Sequence, residues 1–220
     1  MGRADLIRVV AESDDWLVVD KPSGLPVVPA PTSDASLWRT LEHQRDERLW
    51  VVHRIDRGTS GLVLFARNPV AHRSLSMGFE HGEVGKTYLA FVNGVPQDGR
   101  IDAPLHSARR GRMRPAKDRE PGSLAARTDV RLLKTWDGAA LLEARPHTGR
   151  HHQIRVHLKS AGAPLLIDPI YGGAPEGCAS HLPNWRLTLH ASKLAFRDTV
   201  IESPLPDDLV RVRDCLDADS

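Results

Sequence analysis

The chain has only two cysteines, few aromatic residues (5%), and no apolar run approaching the roughly 20 residues that a membrane-crossing helix needs. Cys178 and Cys215 lie far apart without CxxC spacing. A disulfide framework and a thiolate zinc site are thereby disfavoured, and a reducing cytoplasm is the natural setting. A surplus of one charge is also missing, since 30 Lys and Arg face 28 Asp and Glu for a net +2. Global charge therefore does not announce a nucleic-acid binder, and its distribution must be read instead. No internal repeat is visible, and Met1-Gly2-Arg3-Ala4-Asp5 leads into a short strand-like run and not into the long apolar core of a secretory signal. What remains is 220 residues, 40% hydrophobic and 26% charged, the balance of a water-soluble globular chain of one domain with small appendages.

The stretch with the most organisation is His53-Arg54-Ile55-Asp56-Arg57-Gly58-Thr59-Ser60-Gly61. Apolar runs at Trp50 to Val52 and Leu62 to Ala66 predict strands on either side, with a short loop carrying one aspartate between them. Gly58 and Gly61 permit tight backbone, and Thr59 and Ser60 can hydrogen-bond neighbouring main chain. Asp56 is then presented on a loop held by strands, where catalytic groups are commonly mounted; an ordinary polar turn would read the same way.

Leu6 to Val10 and Trp16 to Val19 read as strands joined by an acidic turn, and the proline-bearing segment Val27 to Thr32 as an extended connector. Leu37 and Leu41 mark a surface helix over Ser36 to Arg48. Asn68-Pro69 is an N-cap followed by proline in the first turn, predicting a helix to about Phe79 or Glu80. Gly85 to Gly94 reads as a strand with Thr87, Leu89 and Phe91 on one face and Lys86, Tyr88 and Ala90 on the other. Ala125 to Leu133 and Ala139 to Ala144 predict paired strands across Asp137-Gly138. From Pro146 a loop feeds a helix ending near Ala161, in which Ile154, Leu158 and Ala161 share a buried stripe and Arg155 turns away with His151, His152 and Lys159. A glycine-terminated loop at Asp168 to Gly173, a strand at Leu187 to Phe196 and a helix at Leu209 to Leu216 complete the chain.

Residues 106–122 differ in character. His106, Arg109, Arg110, Arg112, Arg114, Lys117 and Arg119 crowd a segment with too few apolar residues to pack by itself, which predicts a loop or hairpin. Its charge suits phosphate, although a solvated loop that merely keeps the chain soluble would have the same composition.

Three separated pieces together resemble the signatures of the RluA-type pseudouridine synthases: His53 to Gly61, Lys86-Thr87-Tyr88, and Thr148-Gly149-Arg150-His151-His152-Gln153-Ile154-Arg155-Val156-His157. Lys21-Pro22-Ser23-Gly24 and Asp168-Pro169-Ile170-Tyr171-Gly172 are similar to two further motifs of that family, in its order. The resemblance spans about residues 15 to 200. It implies an α/β (α+β) catalytic domain over 1–220, with a long, mostly antiparallel bent β-sheet, flanking helices and loops, a central RNA-binding cleft and the 106–122 insertion. It also implies isomerisation of uridine in RNA to pseudouridine, with no cofactor and no metal.

On that pattern Asp56 is the catalytic carboxylate, able to act as a nucleophile or to help detach the base. Arg155 pairs with it and keeps it ionised, and Tyr88 stacks on the uracil and accepts the C5 proton. The target uridine must be flipped out of its stack, and the Arg54 guanidinium can fill the gap. Arg109, Arg110, Arg112, Arg114, Lys117 and Arg119 grip phosphates, while Lys21 and the Tyr171 loop brace the wall. Ile55 stands where the family usually has leucine, His151 where a small polar residue is typical, and Ile167 where glycine often precedes the aspartate. With about 15 residues ahead of the first family-like segment there is no room for an S4-type domain. The expected partner is therefore a compact stem-loop of tRNA or 23S rRNA, with no membrane or DNA, read by a cytoplasmic monomer. Two other classes stay open. His147, His151, His152 and His157 are dense enough for a metallohydrolase site, though no HExxH is present and Arg150 and Arg155 would repel a cation. A non-catalytic RNA-binding protein on the same fold is the other.

Overall fold

The computed structural model describes residues 6–30 and 34–219. Its elements run β1 (Arg8–Glu12), β2 (Trp16–Lys21), α1 (Leu37–Arg45), β3 (Trp50–Val51), β4 (Ser60–Ala66), α2 (Pro69–His81), β5 (Gly85–Asn93) and β6 (Gly99–Asp102). They continue with β7 (Leu105–Ser107), β8 (Met113–Pro115), β9 (Arg127–Trp136), β10 (Ala139–Pro146), α3 (Gln153–Ser160), β11 (Leu189–Phe196), β12 (Thr199–Glu202) and α4 (Asp207–Ala218). Ten strands form one sheet with the path β1-β2-β4-β11-β5-β10-β9-β6, β12 lying beside β11 and β3 beside β4. Every pairing is antiparallel except β11 with β4. The mixed fold with a mostly antiparallel sheet is the one the family resemblance implied.

Helices cover both faces, and the sequence shows why. Tyr88, Ala90 and Val92 of β5 pack with Ile154 and Leu158 of α3, while Leu89 and Phe91 pack with Leu209 and Val212 of α4. The two-residue period of the strand thus feeds two cores, as the alternation predicted. Along β2 and β4 the same split sends Val19, Val63 and Phe65 toward α1, and Val18, Leu62 and Leu64 toward α2. All seven residues of β4 are buried, which accounts for its unbroken apolar run. α2 begins at the expected cap, where the Asn68 side chain accepts from Ala71 N at 2.8 Å.

Several expectations need correction. The stripe on α3 does not end in Ala161, which is exposed, and Arg155 does not turn outward with Lys159. All of Gln153 to Leu158 is buried, because the sheet lies beneath the helix while β8 and the Tyr171 loop lie beside it. β6 and β12 went unpredicted; each is four residues long and largely exposed, so neither carries a clear hydrophobic period. The cysteines do pair: Cys178 and Cys215 form a disulfide with Cα atoms 5.5 Å apart. Their 37-residue separation hid this, because only the packing of α4 back onto the 177–182 segment brings them together. The expected connector at Val27 to Thr32 lies partly outside the described residues. The basic segment is a hairpin, in which β7 pairs with β8 and leaves the large sheet.

Candidate active site

β4 is an interior strand of the sheet, between β2 and β11, and the loop that precedes it, residues 52–59, carries Asp56. Three clamps fix that loop. Lys21, fully buried, donates through Nζ to the carbonyls of Pro22 (2.9 Å), Leu25 (2.7 Å) and Arg57 (3.2 Å). Ser23 Oγ donates to Gly58 O at 2.6 Å. Arg186, also buried, donates to Gly58 O and Ser60 Oγ and reaches Asp208 of α4 at 2.7 Å. Gly58 is required because a Cβ would collide with the Trp185 carbonyl, and Gly61, at φ 111°, because one would strike the Ala191 backbone.

Asp56 projects from this clamped loop with its side chain 23% exposed. Arg155, 4% exposed, comes from α3 and donates through Nη1 to Asp56 Oδ2 at 2.8 Å. Its other two donors are held by Asp168, Nε to Oδ2 at 2.7 Å and Nη2 to Oδ1 at 2.8 Å. Asp168 Oδ1 also accepts from the backbone of Ile170 and Tyr171. One buried guanidinium thus bridges two carboxylates, and the bidentate one sets its orientation. Both anions raise the Arg155 pKa against the opposing effect of burial, so it stays charged.

A second chain reaches Asp56 from the hairpin. Tyr171 Oη accepts from Met113 N at 2.7 Å and lies 2.8 Å from His152 Nδ1. Burial lowers the His152 pKa to about 4, so near neutrality the ring is uncharged. Nε2 stands 3.9 Å from Asp56 Oδ1. His152 itself holds φ at 55°, an uncommon conformation for a non-glycine, at the entry to α3.

Asp56, Arg155 and Tyr88 line one cavity of about 540 Å³ together with His53, Lys86 and Leu189. Burial, with the nearby charge of Asp56 adding to it, raises the Tyr88 pKa well above that of a free phenol. The phenol is therefore protonated in the empty cleft, which suits stacking. His53 is neutral as well, its pKa lowered to about 3 chiefly by burial; its Nε2 accepts from Leu64 N at 2.9 Å and its ring stacks on Phe79. Arg54 is exposed on the cavity rim.

The basic segment divides. Arg109, Arg110, Arg112, Lys117 and Arg119 are exposed, whereas Arg114 is engaged by both carboxylate oxygens of Glu120. The four histidines of the metallohydrolase reading do not converge. His147 pairs with Asp129, and His157 is buried against Thr128 Oγ1 and Ala103 O. His151 and His152 do come within 4.8 Å of an Asp56 oxygen, a carboxylate the sequence reading did not bring to them; the cation already beside it is Arg155. Sequence reasoning gave no individual role to Asp168, although its motif was noticed, or to Arg186. The first could have been found by asking what holds Arg155; the second sits in an unremarkable Trp-Arg-Leu run with no signal.

Residues 15–160 match the RNA pseudouridylate synthase family model. Over 208 residues the chain is 37% identical to an uncharacterized RNA pseudouridine synthase of Zymomonas mobilis, covering 90% of this chain and 94% of that one. A ribosomal large subunit pseudouridine synthase D of the same organism is 35% identical over 86% of this chain, which spans 64% of that protein. Among solved structures, human RNA pseudouridylate synthase domain containing 1 superposes with a TM-score of 0.74 at 26% identity, over 94% of this chain and 86% of that one. The human domain containing 4 protein has the same fold, with a TM-score of 0.80 at 24% identity over 96% and 93% of the two chains.

Proposed function

The chain belongs to the RNA pseudouridylate synthase family, and from that premise we propose that Asp56, Arg155 and Tyr88 carry out its reaction. That reaction is the isomerisation of uridine in RNA to pseudouridine: the N-glycosidic bond breaks, the uracil turns, C5 is joined to C1′, and the C5 proton is lost while N1 gains one, so that the base keeps its composition. The observation that carries the assignment is the carboxylate of Asp56 at the cavity wall, with Oδ2 fixed by Arg155 at 2.8 Å and Oδ1 outside hydrogen-bond reach of His152, 3.9 Å from its Nε2. A positioned anion of this kind acts at the junction of ribose and base, and Arg155 keeps it ionised without occupying both oxygens. Tyr88, protonated, stacks on the uracil and holds it while it turns. Arg54, exposed at the rim, takes the place of the flipped base in the RNA stack.

The RNA is a stem-loop of ribosomal large-subunit RNA or tRNA, read without DNA by a monomer in the cytoplasm. Relatives named for the large ribosomal subunit support the first of the two RNAs. Among the described residues no helix is long and apolar enough to cross a membrane. Arg109, Arg110, Arg112, Lys117 and Arg119 of the hairpin segment grip phosphates; Arg114, held by Glu120, serves the hairpin's own shape.

Purified protein should release tritium from C5-labelled uridine in such RNA without added metal, and Asp56→Ala should lower that rate by roughly 10⁴-fold. Full activity in Asp56→Ala would overturn the assignment.

A further inference from the structure

Asp56 and Arg155 line two cavities. Beyond the one that holds Tyr88 lies a second of about 510 Å³, and the two share Arg54, Ile55, Asp56, His152 and Arg155. The second is walled by Trp185, Ile170 and Pro169, with residues 26–30 opposite and Arg57 and His151 at its margin. Trp185 is the unusual member. It is 50% exposed, yet the edge of its indole is seated so closely on Gly24 that a Cβ there would stand 2.8 Å from the ring. Its carbonyl abuts Gly58, and the next residue is the buried Arg186 that clamps the catalytic loop. The ring is therefore seated on Gly24 and the Trp185 backbone on Gly58 of the loop that carries Asp56, while half of the residue stays exposed. Arg57 is fixed as well, donating through Nε to Gly24 O at 2.8 Å, and its terminal nitrogens have no protein partner among the described residues.

We propose that this second cavity receives the base of a nucleotide next to the target uridine, stacked on Trp185, with Arg57 at the intervening phosphate. The inference rests on the assignment of Asp56 as the catalytic carboxylate. A uridine whose ribose meets Asp56 places its neighbouring phosphates within one nucleotide of both cavities, since Asp56 lines both. A fixed, half-open indole is a stacking platform that accepts any base, and exposed guanidinium groups beside it match a phosphate. The occupant is nucleic acid because the cavity continues the catalytic cleft and its free charges are cationic.

The test uses the full chain and fluorescein-labelled RNA pentanucleotides with a central uridine, either intact or with one flanking base removed on the 5′ or the 3′ side. Binding is read by fluorescence anisotropy, and tritium release is measured on a longer RNA that the wild type modifies. One of the two abasic probes should bind the wild type about tenfold more weakly than the intact probe. Trp185→Ala should lose about the same factor on the intact probe and show no further loss on that abasic one, while Trp185→Phe should keep most of the affinity and the base dependence. An equal abasic penalty in wild type and Trp185→Ala, or an unchanged affinity in Trp185→Ala, would overturn the proposal. If Trp185→Ala melts at a lower temperature, the comparison of wild type with Trp185→Phe decides. An active wild type without base dependence refutes the flanking site alone. Base dependence in the wild type together with full tritium release by Asp56→Ala refutes the catalytic assignment alone.

Discussion

The loop at Asp56 and the hairpin at 105–115 are both irregular, polar and rich in arginine, yet they are built in opposite ways. Around Asp56 the charged groups that hold the loop are buried and hydrogen-bonded: Lys21, Arg155, Asp168 and Arg186 are each at most 4% exposed, and each makes at least three hydrogen bonds. On the hairpin, Arg109, Arg110 and Arg112 stand in solvent, and only Leu105 and Met113 anchor the strands to a small cluster with Ala126, Val156 and Tyr171. Chemistry needs atoms held to fractions of an ångström, so the first region spends burial on fixing position. Phosphate contact tolerates adjustment, and exposed cations deliver it without the desolvation a buried charge suffers.

If burial fixes the site, removing one buried partner should have the largest effect. Asp168→Asn keeps the shape but takes a negative charge from Arg155, which then turns toward Asp56 alone. Thermal denaturation should show a loss of about 3 kcal/mol, and kcat for tritium release should fall by roughly 10²-fold with KM little changed. A stability loss with kcat intact would show that Asp168 serves the fold and not the reaction.

The neutral histidine at the cleft floor gives the next largest effect. His53 has a folded pKa near 3, below that of an unfolded histidine near 6.5. Between those values the unfolded chain binds a proton that the folded chain refuses, so stability is full above about pH 6.5 and falls as pH drops toward 3. His53→Gln, whose side-chain oxygen can still accept from Leu64 N, should flatten that fall by on the order of 2 kcal/mol in denaturant titrations at pH 4 against pH 7. Hairpin variants should leave the pH profile unchanged; a profile that moves with them would erase the distinction between the regions.

For the hairpin the prediction concerns salt. Replacing Arg109, Arg110 and Arg112 together by alanine should weaken RNA binding about tenfold at moderate salt and lower the slope of log affinity against log salt by roughly 2. Stability should not move, since all three are exposed and none makes an ion pair among the described residues. Arg114→Ala should behave differently and lower stability slightly, because Glu120 would lose its partner.

The same contrast explains what could be read in the sequence. The exposed hairpin was legible as a charge run, and Asp56 as a lone carboxylate among loop-forming residues. Tyr88 and Arg155 stood out only through combination with it, since neither differs alone from an ordinary strand or helix residue. Asp168 and Arg186 were invisible in their roles because these depend on which elements meet: Arg186 acts on a loop 126 residues away through Ser60. The pairing of Cys178 with Cys215 was hidden for the same reason. Local pattern reports periodicity and turns; it does not report which distant side chain closes on a buried charge.

The two regions meet at Tyr171, and there the separation can be tested most finely. Its hydroxyl accepts from Met113 N of the hairpin and hydrogen-bonds His152 Nδ1, whose other ring nitrogen lies 3.9 Å from Asp56 Oδ1. Its ring also lies 5.0 Å from the Arg155 guanidinium. Tyr171→Phe keeps the ring over Arg155 but leaves the Met113 N–H without an acceptor and removes the hydrogen bond to His152 Nδ1. The lost hydrogen bond should cost about 1 kcal/mol of stability. If the chain from hairpin to Asp56 matters to turnover, kcat should fall a few-fold and RNA affinity should weaken in the same variant, although Tyr171 is buried and touches no phosphate. If affinity alone changes, the hydroxyl serves only to seat the hairpin. If kcat alone changes, His152 and Arg155 depend on Tyr171 independently of the hairpin, and the two regions are more separate than their shared hydrogen bonds suggest.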